Sequence, residues 1–194
     1  MRMGRIEKLF VNSASHTQQV ARHAEAMLKF TSFHSGQRYL DFGCGNGSAA
    51  VYVASNYQLE VTGIDIDPEQ IRTARAKCRD ALNILFLAVD GMRLPFADKT
   101  FDIVATNKVT HHIASWKDAF AQMLRVLRPG GYFVYADLVF PTWLASLGPR
   151  LVGTAMGFPT AQELDLLAEQ SNLTPVHLSK GRMHYEAVWR KRVV

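Results

Sequence analysis

The chain has 194 residues, 48% of them hydrophobic and 20% charged, which is enough apolar material for one buried core and too ordinary a charge content for a disordered or coiled-coil protein. The excess of 22 Lys and Arg over 17 Asp and Glu leaves +5 at pH 7, a mild preference for an anionic partner whose visible cluster, Trp189-Arg190-Lys191-Arg192, reads first as a solvated tail. Cys44 and Cys78 are the only cysteines and show no CxxC or histidine spacing, so reduced thiols in a cytoplasmic protein are expected and a metal site is not.

The opening MRMGRIEKLFVNSAS lacks the apolar centre of a signal peptide. An amphipathic helix over about 17–30 comes next. Apolar runs at 38–42, 59–64, 84–89, 101–106 and 132–136 then alternate with helical periods, the pattern of a parallel sheet with helices on both faces. Within that alternation Asp67-Pro68-Glu69 supplies a cap, a first-turn proline and an acid at the positive end of a helix dipole. Ser115 with Asp118 resembles a capping box, and Phe120, Met123, Leu124 and Leu127 form the apolar face of a helix that Pro129-Gly130-Gly131 ends. The greasy stretch 138–158 is cut by Pro141, Pro149 and Arg150, so no membrane span is expected there. Thr160 with Glu163 starts a last helix reaching about Ser171, after which 175–180 and 185–191, separated by GRMH, predict an antiparallel edge hairpin.

The chemistry is concentrated where the first strand ends, in Asp41-Phe42-Gly43-Cys44-Gly45-Asn46-Gly47. A glycine turn between a buried strand and a helix faces the crevice at the carboxyl edge of such a sheet, where ligands bind. Sharp turn geometry alone also accounts for glycines. Asp41 is the informative residue, because a carboxylate there repels a pyrophosphate and attracts an ammonium or sulfonium. The GxGxG spacing likewise departs from the GxGxxG of dinucleotide turns. Asp65 ends the second strand, where a carboxylate can accept ribose hydroxyls, and Asp90 ends the third, where it can receive a purine amine. Each alone is a strand-end aspartate that also caps or turns a chain. Together they describe a pocket for a nucleoside joined to an amino acid.

LDFGCGNG, VTGIDIDPEQI, VDGMRLPFADKTFDIVATN and LRPGGYFVYAD resemble, in order, the motifs of the class I S-adenosylmethionine-dependent methyltransferases, especially the branch acting on small metabolites and quinones. The resemblance spans 38–137. It implies a three-layer Rossmann-like sandwich whose mostly parallel seven-stranded sheet has the order 3-2-1-4-5-7-6, with the seventh strand antiparallel. It also implies one domain: an N-terminal helical segment over 1–35, a cofactor-binding core over 36–137, a lid insertion over 138–159, and the last helix and hairpin over 160–194. In the implied site Asp41 and the backbone of Gly43 and Gly45 hold the methionine part of S-adenosylmethionine, and Asp65 holds the ribose. Ile66 lies against the adenine, Asp90 takes its amine, Gly91 or Met92 offers it a backbone N–H, and Asn107 lies near the sulfonium. S-adenosylhomocysteine is the implied product.

A catalytic base matters when the acceptor must lose a proton. His111 and His112, just past the fourth strand, are the candidates, since an imidazole titrates near neutrality; paired histidines at the start of a helix also simply satisfy backbone groups. The stretch 138–158 reads as an apolar lid, as core packing or as a dimer contact, and an N-terminal helix with Phe10 and His16 near its start is placed to close the cofactor side. The leading expectation is methyl transfer to a small organic acceptor by in-line displacement. Methylation of RNA or protein, a non-catalytic cofactor-binding regulator and, more distantly, a nicotinamide-dependent oxidoreductase are the rivals.

Overall fold

The computed structural model describes residues 14–78, 81–152 and 156–193. Arg38–Phe42 (β1), Glu60–Asp65 (β2), Ile84–Ala88 (β3), Phe101–Asn107 (β4) and Leu127–Asp137 (β5) run parallel, and Leu173–Lys180 (β6) pairs antiparallel with Tyr185–Lys191 (β7). They form one seven-stranded sheet of order β3-β2-β1-β4-β5-β7-β6 in which β7 is antiparallel to β5. The expected topology is met: β1 to β2, β2 to β3 and β4 to β5 are each joined through a helix that covers a face of the sheet.

The two faces follow from side-chain alternation along the strands. Tyr39, Val61, Ile103 and Val134 pack under Ala14–Leu28 (α1), Ser48–Tyr57 (α2) and Pro68–Lys77 (α3), while Leu40, Val104, Phe133 and Tyr135 pack under Trp116–Val126 (α4) and Ala161–Gln170 (α6). Each fully buried Leu, Val or Phe contributes about 1.5–3 kcal/mol, so both faces are held by many such contacts. Asp41 lies between Leu40 and Phe42, whose side chains join the α4 and α6 core; alternation therefore turns the aspartate toward α1.

Local signals fared unevenly. Asp67 caps α3, accepting from Glu69 N–H at 2.9 Å behind Pro68, and Thr160 with Glu163 closes a complete capping box on α6. Ser115, by contrast, makes no side-chain cap on α4. The expected end of α4 also moves: the helix stops at Val126, and Leu127 opens β5 by pairing with Phe101. Pro129-Gly130-Gly131 is a bulge within that strand pairing, which resumes at Ile103 with Tyr132. A proline and glycines interrupt a ladder as readily as they end a helix, and Gly131 is pressed so close to Asp102 that a Cβ would lie 2.6 Å from its carbonyl oxygen.

Candidate active site

The five parallel strands end around a cavity of about 760 Å³ whose wall includes Asp41, Gly43, Gly45, Asp65, Ile66, Asp90, Gly91, Met92 and Asn107, together with His111 and His112. The residues assigned to the cofactor, and the two candidate bases, thus come to one place. α1 adds Val20 from the far side, while Phe10 lies outside the described residues.

The glycine turn is built by close approach. Gly43 and Gly47 both have φ of 75°, a left-handed conformation that costs a non-glycine residue stability. A Cβ on Gly47 would stand 2.7 Å from Ala74 and Phe86, so the turn can be pressed onto α3 and β3 only as glycine. Its donors are largely spent inside the protein: Gly43 and Cys44 N–H reach the Ile64 carbonyl at 2.9 and 2.8 Å, and Gly45 N–H reaches Asp65 Oδ2 at 2.9 Å. Asp65 Oδ1 accepts from Asp67 N–H at 2.9 Å, so this carboxylate ties the turn to the end of β2.

The acids are crowded. Burial, and then the charge of Asp65, push the Asp41 carboxyl up to about 7 against a backbone hydrogen bond from Ala50, and Asp41 Oδ2 is buried without a hydrogen-bond partner. Burial also raises Asp65, opposed by the backbone donors of Asp67 and Gly45. Two carboxylates that resist ionisation beside an open cavity favour a cation there and disfavour a phosphate. Across the cavity Asp90 Oδ1 accepts from Met92 N–H at 3.0 Å. Met92's donor is therefore engaged, which leaves Gly91 as the one of the pair to offer a backbone N–H.

On the other side, the turn between β4 and α4 carries a short 3-10 helix, Thr110–His112. His111 is 7% exposed and its Nδ1 lies 2.5 Å from Asp137 Oδ1. Asp137, at the end of β5, accepts from Val109 N–H at 3.1 Å, from Thr110 N–H and hydroxyl at 2.6 Å each, and from Leu138 N–H at 2.7 Å. The sequence reading missed this residue. Its signal was the one used for the other acids, an aspartate closing a buried apolar strand. The His112 ring lies 3.9 Å from that of His111.

The insertion is tethered to the same turn. Gly157 N–H reaches the His111 carbonyl at 3.0 Å, and a Cβ on Gly157 would stand 2.4 Å from the Ile113 carbonyl oxygen. Thr142–Val152 (α5) exposes Trp143 at 66%, and Leu138 is the residue of this stretch that lines the cavity among the described residues. The basic cluster sits at the opposite end of the sheet. Lys191 Nζ donates to the Leu124 and Leu127 carbonyls at 2.7 and 2.9 Å, closing the end of α4, and Arg190 lies over the Tyr132 ring at 5.8 Å. Among the described residues no helix is long and apolar enough to cross a membrane.

Comparison with known proteins agrees with this geometry. The methyltransferase domain family matches residues 40–135. A 27-O-demethylrifamycin SV methyltransferase of Amycolatopsis mediterranei (strain S699) is 30% identical over 159 residues, 79% of this chain and 58% of the relative. The O-methyltransferase cnsE of Penicillium expansum is 38% identical over 107 residues, 54% of this chain and 39% of the relative. The chain thus spans about half the length of the curated relatives it matches. Among solved structures, the cyclase SpnF superposes with a TM-score of 0.79 at 22% identity, covering 91% of this chain and 83% of that one. A geranyl diphosphate methyltransferase in complex with S-adenosylmethionine gives 0.74 at 14% identity, covering 93% and 92%. With its sheet order, strand-end acids and matched domain taken together, the chain belongs to the class I methyltransferases that use S-adenosylmethionine.

Proposed function

We propose that the protein methylates a hydroxyl on a small apolar organic molecule. The observation that carries this reading is one cavity with two faces: crowded acids at the ends of β1 and β2, and a histidine held by a buried aspartate at the end of β4. Cofactor chemistry fits the first face. The unpartnered Asp41 Oδ2 is matched by the ammonium of the methionine part, Asp65 by the ribose hydroxyls, Ile66, 48% exposed, by the adenine face, and Asp90 with Gly91 by the adenine edge. Asn107, which ends β4 and lines the cavity, is the residue this reading assigns to the sulfonium. S-adenosylmethionine, when bound, supplies a methyl group already activated on sulfur.

The second face has the protein's part in the reaction. Asp137 holds Nδ1 of His111, which fixes the ring and leaves Nε2 as the nitrogen to accept a proton. With the donor bound, its sulfur would leave with the carbon–sulfur electron pair as the acceptor oxygen takes the methyl, and His111 Nε2 would take the hydroxyl proton while Asp137 steadies the imidazolium. The walls keep water from competing, and alignment of this kind lowers barriers by several kcal/mol, up to about 10. Val109, Ile113 and Leu138 line this side, which supports an apolar acceptor. The names of the O-methyltransferase relatives point the same way.

The superposition with a cyclase shows why the site, and not the fold, carries the reading. RNA methylation gains nothing from the basic cluster, whose Lys191 and Arg190 are engaged at the sheet end away from the cavity. The test is incubation of the protein with methyl-labelled S-adenosylmethionine and cell extract. Label in small apolar molecules is expected; label only in RNA or protein, or no label at all, overturns the proposal.

A further inference from the structure

Behind Asp41 lies a second, much smaller cavity of about 30 Å³, bounded by α1 above and by the ends of β1, β4 and β5 below. Its wall includes His23, Asp41 and Asn107, and it shares Asp41, Asn107, Val20 and Ala49 with the large cavity. Three residues of this wall carry a buried polar atom without a hydrogen-bond partner: Asp41 Oδ2 and His23 Nε2, and Thr106 Oγ1, which strand alternation places with Val104 on the other face of β4. An unpaired buried polar atom costs about 1–3 kcal/mol, and two of them around one void of this size are an uncommon arrangement in a folded protein.

A space of this volume holds one water, which needs two to four polar partners. The partners are complementary. His23 Nδ1 lies 3.5 Å from Glu186 Oε1, and the charge of that carboxylate favours the tautomer with its proton on Nδ1 and Nε2 free as an acceptor. Asp41 Oδ2 is a second acceptor, and the Asn107 amide can donate. One water satisfies all three, giving its two protons to His23 and Asp41 and accepting from Asn107.

We propose that this cavity is a one-water site and that His23 acts through the water on Asp41, as a positioning residue that holds the carboxylate ionised and aimed at the methyl donor. The inference rests on the donor reading above. It gives α1 a role beyond covering the cavity, since the helix carries the far anchor of the water that supports the donor's acid. Hydrogen bonding to the charged form favours ionisation, so the water offsets part of the burial that raises Asp41. The other groups facing the network are Glu186 with His184 from the β7 side, Lys108 beyond β4, Asp65 from β2, and Tyr39 and Cys44 along the β1 strand and turn.

The test is the pH dependence of S-adenosylhomocysteine binding, measured by calorimetry for wild type, His23→Phe and His23→Gln. Binding of the ammonium needs the Asp41 carboxylate, so affinity is present above that group's pKa and lost as pH falls through it. His23→Phe removes the water's anchor, so its loss of affinity should begin at higher pH, with binding about tenfold weaker near pH 6.5 and the gap closing toward pH 9. His23→Gln, which keeps an acceptor and preserves the helix, should fall between the two and serves if the Phe variant does not fold. 5′-Methylthioadenosine, which lacks the ammonium, should bind all three proteins alike. Curves displaced equally at every pH would mean that His23 only holds α1 in place, and would overturn this inference alone, as would a dry cavity in a high-resolution crystal structure. If the wild-type protein binds no S-adenosylhomocysteine at any pH, the donor reading falls and takes this inference with it.

Discussion

The two turns that form the cavity solve the same problem in opposite ways. The glycine turn after β1 is tightly built in its backbone, yet its acids are left short of partners: Asp41 and Asp65 are both raised by burial, and Asp41 Oδ2 accepts nothing. The histidine turn after β4 is complete in itself, with Asp137 taking hydrogen bonds from Val109, Thr110, His111 and Leu138. One side carries a charge arrangement that a bound cation relieves. The other is organised before any ligand arrives, so that nothing has to reorganise when a proton moves. The contrast predicts that changes in the first turn alter binding and pH behaviour, and that changes in the second alter rate.

The largest expected effect is at the second turn. His111→Ala should lower kcat by about 10²–10⁴ with S-adenosylhomocysteine affinity unchanged, since the ring lies on the acceptor side. His112→Ala, which leaves the Asp137 pair intact, should cost far less. Assayed on whichever acceptor takes the label, equal losses in the two variants would return the pair to a structural role. A fall in donor affinity for His111→Ala would erase the division between the turns.

The second prediction concerns Asp41. Its folded pKa, pushed up to about 7, lies above the ordinary carboxylate value, so the native state holds its proton more tightly than the unfolded chain. The contribution is therefore most favourable at acid pH and declines as pH rises from about 4 through 7. Asp41→Asn removes that decline. Even with the amide's own cost of burial, the ligand-free variant should be more stable than wild type by about 1–3 kcal/mol at pH 8, with the advantage shrinking toward pH 5, while donor affinity drops about tenfold. Denaturant titrations across this pH range provide the check; a variant less stable than wild type at pH 8 would show that the acid is at ease in the ligand-free fold.

The first turn was far more legible in the sequence than the second. Its glycines and strand-end acids are contiguous or close, and each local feature has one main physical meaning when combined with the next. Asp137 contacts His111 across 26 residues, and that contact exists only because β4 and β5 lie side by side with Asn107 opposite Ala136. No local pattern in Val109-Thr110-His111-His112 carries it. The same limit explains the misread end of α4, where proline and glycine marked a bulge, a feature defined by a partner strand and so invisible in one segment. Sheet order was readable only through the family resemblance, since buried parallel strands look alike one by one.

The smallest prediction asks what holds the histidine turn. Ser115 and Thr160 both precede helices with an acid three residues on, and the sequence treats them alike. Thr160 Oγ1 accepts from Glu163 N–H at 3.1 Å, and its hydroxyl and N–H donate to Glu163 Oε2 at 3.0 and 3.2 Å, so Thr160→Ala should cost about 1 kcal/mol. Ser115 makes no side-chain cap, and the approach to α4 is held through Asp137 and by the Gly157 N–H on the His111 carbonyl at 3.0 Å. Ser115→Ala should therefore change stability by less than about 0.5 kcal/mol. The difference is measurable in paired urea titrations, where m-values should match wild type and only the midpoint of Thr160→Ala should move. A cost at Ser115 equal to that at Thr160 would mean that the turn relies on its own helix cap, and its independence of local sequence, the property that hid the contact between Asp137 and His111, would be lost.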